Sequence, residues 1–85
     1  MALADQQTVL TAFIKARLSE RTKVPVDQID LSSGLIELGL KSIDAVLLCG
    51  EVEDEFKIEV DPASIFEHET LGGFVAAVMT RFDGR

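Results

Sequence analysis

Eighty-five residues, 47% of them hydrophobic, supply one small core, so the expected organisation is a single domain over residues 1–85 that buries about 60 to 65% of its unfolded surface. No stretch approaches the roughly 20 apolar residues of a membrane span, and Met-Ala-Leu-Ala-Asp lacks the basic flank and apolar run of a secretory signal, which makes the cytoplasm the expected compartment. The formal net charge of -7 arises after Val24, where thirteen acids stand against four bases; such a surface repels nucleic acid, and it either attracts basic protein partners or serves only to keep a small domain in solution.

The first helix is predicted from about Asp5 or Thr8 to about Arg21. Val9, Leu10, Phe13, Ile14 and Leu18 recur at three- and four-residue spacing and should form one core-facing stripe, with bases near the helix end. Residues 22–40 then read as a long connection, broken by Pro25, by the turn-like Asp27-Gln28-Ile29-Asp30 and by Gly34 and Gly39, with room for a short turn at most. Ile29, Leu31, Leu35, Ile36 and Leu38 should pin it to the helices. An irregular segment of that length in a small domain is usually functional.

Leu38-Gly39-Leu40-Lys41-Ser42-Ile43-Asp44 leads into the clearest helix, predicted from Ser42 to about Phe56. Asp44 falls in its first turn, where the helix dipole favours a carboxylate. A serine at that junction can cap backbone N–H groups, and an anion attached to its oxygen would sit at the positive end of the helix, which suits a phosphodiester. Ala45, Leu48, Cys49, Val52 and Phe56 form the core set of this helix; Ile43, Leu47, Gly50 and Asp54 form a second set beginning beside the serine. Two readings of the second set stay open. Either the helix is buried all round, or Ile43 and Leu47 make an exposed apolar strip among acids, as a transient protein interface needs. Gly50 costs about 1 kcal/mol inside a helix relative to alanine, and marks either close approach by a partner or neighbouring helix or a tolerated weakness.

Residues 57–60 read as an extended link. Asp61 before Pro62 reads as the cap of a brief third helix through about Phe66, because proline suits the first helical position. The last helix should start at Thr70, with Phe74, Val75, Val78, Met79 and Phe82 inward and Gly72 and Gly73 weakening its first turn. The predicted fold is all-α, a small four-helix bundle of three main helices and one short one, with a long loop between the first and second. Cys49 falls on an apolar face and His68 in a polar loop, so neither suits nucleophile or base, and the lone cysteine forms no internal disulfide. No cysteine and histidine spacing suggests zinc, and the acidic run 51–59 lacks the alternating ligands and central glycine of a calcium loop. Five phenylalanines without tryptophan or tyrosine suit core packing better than base stacking.

The segment from Leu38 to Asp44 resembles the attachment motif of the acyl and peptidyl carrier proteins, in which a serine after Leu-Gly-x-x receives a 4'-phosphopantetheine arm. Leu-Gly-x-x-Ser alone is a common string. Its coupling to Glu51-Val52-Glu53-Asp54-Glu55-Phe56 and to Phe66-Glu67-His68-Glu69-Thr70-Leu71 extends the resemblance over nearly the whole chain. The resemblance implies a non-catalytic carrier whose Ser42 is modified from coenzyme A by a phosphopantetheinyl transferase, the thiol of the arm then holding an acyl or aminoacyl group.

In that family the second helix is the main recognition element. The resemblance therefore assigns Asp44, Glu51 and Glu55 as ion-pair partners for basic docking patches and Ile43 and Leu47 as apolar contacts. Lys41 stands where most carriers have aspartate; it either favours the phosphodiester or alters recognition by partner enzymes, and it joins the partner-binding set. The step from Phe66 to Leu71 looks more like that of polyketide and nonribosomal peptide carriers than that of fatty-acid carriers, while Ser-Ile-Asp and the acidic helix favour the acyl branch. The expectation is a stand-alone, monomeric acyl carrier of polyketide or related secondary metabolism, served by an acyltransferase, ketosynthase or adenylating enzyme. A peptidyl carrier, a fatty-acid carrier and a cofactor-free acidic interaction module are the alternatives.

Overall fold

Four helices organise residues 3–83, the span that the computed structural model describes, with side chains described for 6–82. They are α1 (Leu3–Thr22), α2 (Ser42–Phe56), α3 (Ala63–Glu67) and α4 (Leu71–Asp83). Among the described residues there is no strand, only an isolated bridge between Gly34 and Thr70. The all-α, four-helix expectation therefore holds. α1 begins earlier than periodicity suggested, because leucine and alanine ahead of Asp5 continue a helix readily.

Leu10, Ile14 and Leu18, four residues apart, lie side by side on α1 and are fully buried, with Phe13 packed at their edge. Val9 does not join them and is 50% exposed; one residue is a turn of about 100°, which carries it past the edge of the stripe. Ala45, Leu48, Cys49 and Val52 of α2, Ile65 of α3, and Leu71, Phe74, Val75 and Val78 of α4 complete the core. Phe56 closes one end of it, meeting Phe13 edge-on at 5.5 Å and Phe82 at 5.8 Å, so that one ring joins three helices. Met79 and Phe82 pack against the core from its margin, as expected.

The long connection is irregular but firmly held. It contains one short 3₁₀ turn, Val26–Gln28. Ile29 and Leu35 are buried and Leu38 packs partly, whereas Leu31 and Ile36, expected as pins, are exposed. Leu31 attaches through its backbone instead: its carbonyl accepts from the Gly72 N–H at 2.8 Å, while the Ser33 carbonyl accepts from Leu71 at 2.9 Å. These bonds satisfy N–H groups that the start of α4 would otherwise leave unpaired. Thr70 adds the cap, its hydroxyl accepting from the Gly73 N–H at 3.2 Å. Gly72 suits this close contact, because a Cβ there would press on the Leu31 carbonyl oxygen at 3.0 Å.

The acids after Val52 are partly structural. The Glu53 carboxylate accepts from the Val60 N–H at 2.8 Å, folding residues 58–60 back toward α2, and Val60 is buried. Asp61 caps α3 as expected, its carboxylate accepting from the Ala63 N–H at 2.9 Å while Pro62 holds helical angles.

Candidate functional site

The approach to Ser42 is built by alternation. Gly39 takes φ +98, a left-handed conformation that favours glycine, and its N–H donates to the Ile36 carbonyl at 2.9 Å. Leu40 then turns inward and is buried, Lys41 is extended and exposed, and Ser42 opens α2 exposed to solvent. Two residues ahead of the hydroxyl, the chain is thus anchored in the core.

Ser42 is the first helical residue, one place further in than a cap, and the capping bond comes from elsewhere. The Asp44 carboxylate reaches back and accepts from the Lys41 N–H through Oδ2 at 3.2 Å. The Ser42 hydroxyl therefore has no capping duty, which corrects the expectation that it could serve as one. It stands beside the unpaired N–H groups of the first turn of a 15-residue helix, where negative charge is favoured. The Lys41 ammonium next to it makes no ion pair among the described residues.

On the flank of α2, Ile43 is 61% exposed and Leu47 47%. The exposed reading of the second apolar set is thus the right one. Val46, absent from that set, extends the strip at 51% exposure; its position three residues after Ile43 was the available signal. Gly50 continues the strip, and a Cβ there would meet nothing within 4 Å, so no neighbouring helix accounts for it.

The acids assigned to docking fall into two groups. Glu55, like Asp54, is exposed. Asp44 and Glu51 converge on Arg21 at the end of α1, with Nη2 donating to Glu51 Oε2 at 2.8 Å and Nη1 lying 3.8 Å from Asp44 Oδ1. Arg21 was not singled out from the sequence. Its trace there was the seven-residue spacing of Asp44 and Glu51, about two helical turns, with a base in the last turn of the preceding helix.

Other titratable groups serve the fold. Burial, aided by the negative charges of Glu53 and Asp61, pushes the Cys49 thiol up to about 11, which keeps it protonated and poorly nucleophilic. Asp30 lies below the usual carboxylate range because the hydroxyl and backbone N–H of Ser32 donate to it, an arrangement that orders the loop. His68 is half-buried against Gly73. No described side chain donates to or accepts from the Ser42 hydroxyl, so the chain holds an accessible primary alcohol on a rigid mount without a base to activate it.

A model of the family described as "Phosphopantetheine attachment site" matches residues 12–78, which takes in Ile14 and Leu18 of the α1 stripe, the loop, Ser42 and most of α4. The chain belongs to this phosphopantetheine-binding carrier family. Proteins of the family are non-catalytic, and the domain is the place where 4'-phosphopantetheine is covalently attached. They interact with phosphopantetheinyl transferases and with biosynthetic enzymes. Among solved structures, a free-standing peptidyl carrier protein from an uncharacterized secondary metabolic pathway of Acinetobacter baumannii superposes with a TM-score of 0.79 at 22% identity, over 89% of this chain and 95% of that one. That likeness establishes the carrier fold. Among the described residues, no helix of this carrier is long and apolar enough to cross a membrane.

Proposed function

We propose that Ser42 is the attachment residue, and that this single-domain, monomeric cytoplasmic carrier delivers acyl or aminoacyl intermediates to enzymes of polyketide or related secondary-metabolite biosynthesis. The observation that carries the reading is an exposed, unengaged hydroxyl at the first position of α2, inside the family match. The group fits there: Ser42 Oγ would hold its phosphodiester, and the first-turn N–H groups with the Lys41 ammonium would offset the negative charge. When bound, it supplies a thiol that holds cargo as a thioester. In the loading step the Ser42 oxygen bonds to phosphorus, a P–O bond of the coenzyme A diphosphate breaks, adenosine 3',5'-bisphosphate leaves, and the transferase takes the serine proton.

Ile43, Val46 and Leu47 form the apolar contact for an acyltransferase, ketosynthase or adenylating enzyme, with Lys41 and Glu55 as its charged rim. Asp44 and Glu51 can meet a basic partner only by sharing or releasing Arg21, so they contribute to docking less than Glu55. Weak docking suits a carrier, since partners must bind and leave quickly, and a tether raises the local concentration of cargo at each.

Intact mass spectrometry tests the assignment. Incubation with coenzyme A and a broad phosphopantetheinyl transferase should add one phosphopantetheine mass to the wild-type chain and none to Ser42→Ala. A wild-type chain left unmodified by several transferases would overturn the reading and favour a cofactor-free docking module.

A further inference from the structure

Arg21, in the last turn of α1, precedes Glu51 by thirty residues in sequence, yet it lies against the helix that presents Ser42. We propose that Arg21 is a positioning residue for Ser42, acting through Asp44 on the peptide that precedes the serine; the proposal rests on Ser42 being the attachment site.

Three links run in line. The guanidinium is fixed at one end by the 2.8 Å bond from Nη2 to Glu51 Oε2, and its Nη1 faces Asp44 Oδ1 at 3.8 Å. The other oxygen of the same carboxylate, Oδ2, accepts from the Lys41 N–H at 3.2 Å, the last backbone donor before Ser42. At 3.8 Å the Arg21–Asp44 contact is an ion pair without a hydrogen bond, so the guanidinium acts by attracting one carboxylate oxygen and favouring the rotamer in which the other faces the Lys41 N–H. The Arg21 and Asp44 side chains are only 19% and 20% exposed, which shields the link from solvent and salt.

The rest of the cluster agrees with this use. Arg21 Nε and Glu51 Oε1 are both buried without a partner. Leaving buried polar atoms unpaired costs free energy, and the geometry accepts that cost while keeping both carboxylates, two turns apart, within reach of one head group. No other base is ion-paired to α2 among the described residues, so nothing nearby replaces Arg21 when it is removed. The serine hydroxyl must meet a phosphorus centre in a foreign active site, where orientation of the nucleophile governs rate.

The test joins two measurements on the full chain. In Arg21→Gln, amide hydrogen exchange at Lys41 should accelerate about tenfold, and transfer of phosphopantetheine from coenzyme A should lose about three- to tenfold in kcat with little change in KM for the carrier. Asp44→Ala should reproduce both effects, and the double variant should be no worse than Asp44→Ala alone. Arg17→Gln removes the same charge from the same helix, where it pairs with Glu20 and with no acid of α2, and should change neither readout. Circular dichroism confirms that each variant is folded, and Asp44→Ala carries the test if Arg21→Gln is not. Unchanged exchange at Lys41 in Arg21→Gln would overturn the proposal, as would a raised KM with kcat intact or additive effects in the double variant. An unmodified wild type would refute the attachment reading, while the exchange arm still decides whether Arg21 governs the Lys41 peptide.

Discussion

The thiol of Cys49 and the hydroxyl of Ser42 lie seven residues apart and so point to nearly the same side of α2, but they have opposite environments. Ser42 at the helix start is in solvent, while two turns further on the same side Cys49 is buried in the core. Burial therefore holds the Cys49 thiol neutral, raised from an ordinary value of 9.0 to about 11. Between those two values the unfolded chain ionises its cysteine and the folded chain does not, so the unfolded form binds fewer protons and stability falls as pH rises. Chemical denaturation of wild type and Cys49→Ala at pH 8 and pH 11 checks this. The variant should lose about 1 kcal/mol at pH 8 from the space left by sulfur, and the gap between the two proteins should close and then reverse toward pH 11. A gap that stays constant would mean that the thiol ionises freely in the fold.

Helical glycines in this chain have opposite reasons for being there. At Gly50 a Cβ would meet nothing, so Gly50→Ala should stabilise the protein by about 0.5 to 1 kcal/mol through helix propensity alone. At Gly72 a Cβ would press on the Leu31 carbonyl that bonds the start of α4, and Gly72→Ala should destabilise by about 1 kcal/mol or more despite the same propensity gain. Urea denaturation of the two variants settles the signs; equal shifts would show that packing at α4 does not matter. The contrast runs against the sequence reading, in which close approach was weighed at Gly50, where no neighbouring helix lies near, and only a weakened first turn at Gly72, where the Leu31 carbonyl does. The helices themselves were legible because Leu10, Ile14 and Leu18, and again Leu48 and Val52, repeat with the period of the structure they form. The loop was not: an irregular backbone has no period to tell inside from outside, so Leu31 and Ile36 were misplaced while Ile29 and Leu35 were placed correctly. An exposed serine opening α2 was readable from its local string, but Arg21, which reaches that helix from thirty residues away, belongs to tertiary structure alone.

A net charge of -7 on a body about 32 × 24 × 20 Å gives a field that extends beyond any single contact. Much of the α2 charge is nonetheless answered internally, Asp44 and Glu51 by Arg21 and Glu53 by the Val60 N–H, which leaves Asp54 and Glu55 as the exposed acids of that helix. The kcat/KM for a basic partner enzyme should therefore fall as salt is raised from about 0.05 to 0.5 M, and Glu55→Lys should lower the low-salt value and flatten the dependence without loss of fold. Identical salt profiles for the two proteins would remove Glu55 from the docking rim.

Leu40 sits in the core two residues ahead of the serine, so the backbone beneath an arm borne on Ser42, as proposed above, cannot hinge there. The polypeptide behaves as a gantry: reach is limited to the length of the pendant itself plus tumbling of the entire domain. Two catalytic centres that exchange cargo through it must either lie within that span of one berth or be visited in succession, by undocking and docking again.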